Sequence, residues 1–117
     1  MNIQEQIRNL AKHHFGDVLA LRRHLHQYPE LSKQEKETAD FICDYLGKLQ
    51  GVSFRRDIAG HGICGFVEGK PANKCVALRA DMDALPICEN TNLDFKSKNE
   101  GVMHACGHDV HMSVLLG

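Results

Sequence analysis

No stretch of this chain stays apolar for the ~20 residues that a membrane-crossing helix needs. Its opening, MNIQEQIRNLAKHH, also lacks the apolar centre of a secretory signal. Both absences predict a cytoplasmic protein with no membrane partner. Charge of one sign is scarce too: 14 Lys and Arg face 15 Asp and Glu, leaving a formal net charge of −1 and no electrostatic footprint for nucleic acid. The charges are interspersed, as on a solvated surface. Repeats, low-complexity tracts and interdomain linkers are missing as well. With 117 residues, 43% hydrophobic and 25% charged, the chain has the size and composition of one soluble globular domain.

Cysteine pairing is the next absence. Five cysteines at irregular spacing, an odd number, argue against a disulfide framework and for reduced thiols. No CxxC pair exists to join histidines in a closed structural zinc site of the zinc-finger type. Cys43 falls on an apolar helix face, and Cys64 and Cys75 in strand-like runs, where a free thiol behaves as a small hydrophobe. Cys88 carries no signal. Only Cys106 has neighbours that could change its chemistry.

Local pattern supplies the elements. Ile3, Ile7, Leu10, Val18, Leu21 and Leu25 recur at helical spacing and predict an amphipathic helix to about His26, stopped by Pro29. Ser32 with Glu35 reads as the capping box of a second helix, whose inner face is Ala39, Ile42, Cys43, Leu46 and Leu49 and whose end is Gly51. Runs at 52–56, 62–68 and 74–80 predict three strands separated by AGHG and GKPAN. CVAL at 75–78, apolar without alternation, suits a strand covered on both faces. Residues 84–103 read mostly as loop, and 110–116 as the start of a helix. Helix, helix, strands, loop and helix begin an α/β fold that lacks the later elements to cover its sheet.

Two polar clusters interrupt this pattern. RADMDALP, at 79–86, follows the third expected strand, and strand ends in α/β sheets release side chains into a crevice. Asp81 and Asp83, two apart on extended backbone, point to one face, where a metal or a histidine would offset their mutual repulsion. The plainer alternative has one of them capping a turn while Arg79 pairs with the other. MHACGHDVHMS, at 103–113, places His104, Cys106, His108 and His111 within eight residues. Cys106 and His108 flank Gly107, and thiolate with imidazole suits zinc or a similar divalent ion in an open site. His104 and His111 could add ligands, ligand support or substrate contacts, and Asp109 could hold an imidazole tautomer. The plainer alternative is a loop of histidines bonded to backbone. His13 and His14 read as helix-surface groups, His24 and His26 as helix-end groups favoured by the dipole, and His61 as a turn residue.

LRRHLHQYPELS at 21–32, RADMDALP and MHACGHDVH, in that order, resemble the metal-dependent amidohydrolases of the aminoacylase/carboxypeptidase family, in the branch of hippurate hydrolases and N-acyl-amino-acid hydrolases. The likeness runs from Leu21 to Gly117. It implies the N-terminal part of an α/β/α catalytic domain with a mixed sheet, 1–117 being a single partial domain. It implies a pair of divalent ions, zinc, manganese, cobalt or nickel, and an N-acyl amino acid as substrate. Cys106 and His108 match two metal ligands of the branch. Asp83 matches the catalytic-site aspartate that orients a ligating histidine, and Asp81 stands where related peptidases carry a metal-binding histidine. No residue matches the general-base glutamate or the further ligands, so little hydrolysis is expected from these residues alone.

Two other classes compete with this reading. One is a noncatalytic metal-binding or interaction module derived from such an enzyme. The other is a thiol redox protein using Cys106, which the lack of a resolving CxxC partner disfavours. Open strand edges and bare apolar helix surface also predict self-association into a homo-oligomer, by exchange of an element between copies.

Overall fold

Helix α1 (Ile3–Gln27) starts where Asn2 caps it: the Asn2 side chain accepts the Glu5 N–H at 2.9 Å, and the Glu5 carboxylate accepts the Asn2 N–H at 3.3 Å. It ends with the Tyr28 N–H donating to the His24 carbonyl at 3.1 Å, immediately before Pro29. These bonds come from a computed structural model that describes residues 1–70 and 73–117. Only the C-terminal part of the apolar stripe is covered. Leu21 and Leu25 are buried, whereas Ile3, Ile7 and Leu10 are 70%, 60% and 58% exposed.

Helix α2 (Lys36–Gly47) corrects the expected start. Ser32 does not cap it and Glu35, the N-cap residue, gives its carboxylate to the Lys33 N–H at 2.9 Å. Glu30 takes over the capping, accepting the Glu37 N–H at 3.2 Å and the Thr38 N–H at 2.6 Å. A carboxylate satisfies the free N–H groups as Ser32 would, and its charge also complements the positive end of the helix. Ala39, Ile42 and Cys43 are buried as expected, while Leu49 is 36% exposed.

Strands β1 (Val52–Ile58) and β2 (Gly62–Val67) form an antiparallel hairpin pairing Val52 with Val67 and Ile58 with Gly62, with a register irregularity between Arg55 and Ile58. Gly62 is required there, because a Cβ would lie 2.5 Å from the Ile58 carbonyl oxygen. The third expected strand is not one. Residues 74–80 join no ladder, and Val76 and Leu78 are 84% and 74% exposed. A strand needs neighbours for its N–H and C=O groups, and the described residues offer it none. The expected turn GKPAN includes residues 71 and 72, which lie outside the described residues.

The chain is held again from Ala84, whose N–H donates to the Glu30 carbonyl at 2.8 Å. Leu85 and Met103 exchange N–H···O bonds of 2.9 and 3.0 Å, so the irregular 84–103 segment returns on itself. Helix α3 (His108–Leu116) begins two residues earlier than expected and packs against α1. Leu25, Ile42 and Met112, one from each helix, form the buried core, with Phe41, Leu46, Ile63, Ala80, Met82 and Leu116 around it. The class is α/β, with a two-stranded antiparallel sheet among the described residues. No described helix is long and apolar enough to cross a membrane.

Candidate metal centre

The Leu85–Met103 pairing brings the DMD segment beside the start of α3. There His108 Nδ1 lies 2.8 Å from the Asp83 carbonyl oxygen and 3.1 Å from Asp83 Oδ1. A carbonyl oxygen can only accept, so Nδ1 carries the hydrogen, and in the neutral ring Nε2 keeps its lone pair. Asp81 Oδ2, 3.9 Å from Nε2, is too distant to bond it, and the other Asp81 oxygen accepts from exposed Arg79 at 2.8 Å. Asp83 thus holds one nitrogen of the imidazole, while Asp81 lies on the side of the other without bonding it.

Cys106 is exposed, separated from His108 by Gly107, whose φ of 106° is a conformation that a side chain would strain. His111 is exposed, its ring centroid 6.1 Å from that of His108. His104 is buried, and neither ring nitrogen has a hydrogen-bond partner. Burial pushes its pKa down, because an imidazolium there would lose hydration. Asp109 turns away from the other residues of its motif, into the interior.

Among the described residues no three His, Cys, Asp or Glu side chains gather closely enough to chelate an ion by themselves. The donors still suit one side of a transition-metal shell. A ligating imidazole characteristically donates its second N–H to a carbonyl or carboxylate, as His108 does to Asp83, and Cys106, two residues away in sequence, is a free, exposed thiol.

Asp109 belongs to a buried cluster that local sequence reading missed. His26 Nδ1 lies 2.8 Å from Asp109 Oδ2 and His26 Nε2 lies 2.9 Å from Glu89 Oε1. Each ring nitrogen of His26 thus faces a carboxylate oxygen within hydrogen-bond distance, one on either side of the ring. Arg22 Nε donates to the same Asp109 oxygen at 3.1 Å, adding a guanidinium to the imidazole and the two carboxylates. Burial by itself raises the Glu89 pKa, but the Thr91 hydroxyl, the Ser97 N–H and His26 outweigh it and hold the carboxyl below its ordinary value. Arg22 and His26, one turn apart on α1, were the available signal. Glu89 gave none.

Acid sensitivity follows. His24, half-buried with its ring stacked on Phe41 at 3.7 Å, has its pKa lowered by burial, as does His104. Below about pH 6.5 the unfolded chain binds protons that these folded rings resist, so stability falls. Glu89, depressed in the fold, adds a further loss below about pH 4.5. Urea unfolding midpoints should therefore decline from pH 7 to pH 5 and again toward pH 4. A flat profile would contradict these burials.

Comparisons with known proteins give the site its context. Residues 77–117 match the pattern of the Peptidase family M20/M25/M40. The chain is 45% identical over 118 aligned positions to thermostable carboxypeptidase 1 of Saccharolobus solfataricus, covering 100% of this chain and 30% of that protein. It is 46% identical over 114 residues to the N-acyl-L-amino acid amidohydrolase of Geobacillus stearothermophilus, covering 97% and 30%. The crystal structure of the Bacillus subtilis YXEP protein, described as a dinuclear metal-binding peptidase of the M20 family, superposes with a TM-score of 0.83 at 40% identity, covering 90% of this chain and 29% of that one. The chain spans about 30% of the length of these curated relatives.

Proposed function

We propose, for a chain that carries the sequence pattern and fold of the M20/M25/M40 peptidase family, that Cys106 and His108 hold one side of a divalent metal in a hydrolase acting on N-acyl amino acids. The observation that carries this is the His108 ring, fixed through Nδ1 by Asp83 and free at Nε2. The amidohydrolase relative supports the substrate class, and the dinuclear neighbour supports a second ion in the larger enzyme. When bound, such an ion supplies Lewis acidity toward water and an amide carbonyl. Asp83 acts through His108, holding its tautomer, and is therefore a positioning residue. The Cys106 thiol must lose its proton to bind, which makes metal uptake pH-dependent. Asp81, His104 and His111 stand close enough in sequence to support ligands or touch substrate.

Two protein donors hold an ion more loosely than three or four, so these residues alone should bind metal weakly and hydrolyse little. Cobalt(II) titration, followed by the thiolate-to-cobalt absorption band, tests the site. The band should appear in the parent and vanish in Cys106→Ser, and cobalt affinity should fall at least roughly ten-fold in His108→Ala. Cobalt bound equally by all three proteins would refute the assignment. Hydrolysis of hippurate and N-acetyl amino acids separates an enzyme from a metal-binding module, and light scattering tests the proposed homo-oligomer.

A further inference from the structure

We infer that His26 is a positioning residue for the candidate metal centre: it fixes the first turn of α3, and thereby His108, by clamping Asp109 from the interior. The proposal uses the ligand assignment of His108 in only one arm of its test.

Residues 108 and 109 are adjacent and are held from opposite sides. His108 is tied outward to Asp83 through Nδ1 at 2.8 Å. Asp109 is tied inward, its Oδ2 accepting from His26 Nδ1 at 2.8 Å and from Arg22 Nε at 3.1 Å. Its Oδ1 accepts the Val110 N–H at 3.0 Å, and its carbonyl accepts the Ser113 hydroxyl at 2.6 Å. His26 in turn is braced by Glu89 at 2.9 Å, and Glu89 accepts the Ser97 N–H at 3.0 Å. The brace therefore runs from the 84–103 segment through α1 to the start of α3. His26, Glu89 and Asp109 are 1%, 6% and 1% exposed, so water cannot replace a lost partner without rearrangement.

This geometry matters because α3 begins at Gly107, whose left-handed φ of 106° makes a flexible pivot. Gly107, the N-cap residue, has no side chain to cap the helix start, so the Asp109 carboxylate is the side-chain group that holds this turn. Without the Asp109 clamp, the turn carrying His108 is left to the pivot, and the His108–Asp83 bond loses its fixed approach.

The test compares the parent chain, His26→Ala, and Ile42→Ala, a core truncation in α2 that weakens packing against Leu25 and Met112 but removes no hydrogen bond of the brace. Nitrogen-15 spectra of the His108 ring report its tautomer without metal, cobalt titration reports affinity, and urea unfolding reports stability. His26→Ala should lose the single Nδ1–H tautomer of His108 and bind cobalt roughly ten-fold more weakly. Ile42→Ala should keep both at comparable loss of stability. Retention of the parent tautomer in His26→Ala, or equal loss of it in Ile42→Ala, overturns the proposal. Absence of cobalt binding in the parent would defeat the ligand assignment instead, and the tautomer comparison would still decide the role of His26. Should His26→Ala not fold, His26→Gln, which keeps an N–H donor for one carboxylate, is read in the same way: a smaller shift supports the brace, and a parent-like ring overturns it.

Discussion

Asp109→Ala is expected to destabilise the chain by roughly 3–5 kcal/mol, the usual cost of removing one partner from a buried ion pair. The carboxylate is 1% exposed and receives both His26 and Arg22. Its removal leaves His26 with Glu89 alone and strands the ring Nδ1 without a partner in a dry site. Against the roughly 5–15 kcal/mol of a typical small domain, such a loss removes a substantial share of the stability and unfolds a chain at the low end of that range. Asp109→Asn, which keeps an acceptor oxygen but loses the charge, should fall between parent and alanine variant. Urea unfolding followed by far-ultraviolet circular dichroism measures both. A loss below about 1 kcal/mol in Asp109→Ala would mean that the Asp109 contacts are solvated rather than buried.

Leu25→Ala should cost about 2–5 kcal/mol, because Leu25 is 2% exposed and joins Ile42 and Met112 in the core, where truncation loses transfer energy and leaves a cavity. Ile7→Ala, in the same helix and on the same apolar stripe, should change stability by no more than about 0.5 kcal/mol. Ile7 is 60% exposed in the described structure, and alanine is a better helix former than isoleucine. Paired unfolding curves decide the matter. If Ile7→Ala is as damaging as Leu25→Ala, another surface covers the N-terminal half of α1, as self-association would do.

Much of this molecule could be read from local pattern. The α1 span follows from apolar spacing and Pro29, and the hairpin from two short runs around AGHG. Cys106, Gly107 and His108 stood out because thiol and imidazole beside a glycine have a recognisable joint chemistry. Local pattern failed where two groups compete or where a partner is distant. Ser32 looked like the cap of α2, yet the helix starts later, at Lys36, and Glu30 reaches its Glu37 and Thr38 N–H groups with a full charge. The run at 74–80 has strand composition, but strand pairing belongs to the neighbours as much as to the segment.

The sequence by itself determined helix periodicity, the hairpin turn and which side chains are candidates to hold a metal, since each depends on residues within a few places of one another. Only the tertiary structure decided which imidazole met which carboxylate. Asp109 found its histidine 83 residues away, and Glu89 found the same ring from 63 residues away. Spacing along the chain cannot encode such meetings, because they arise when separate segments bury apolar surface together and their polar groups must then satisfy one another in the absence of water.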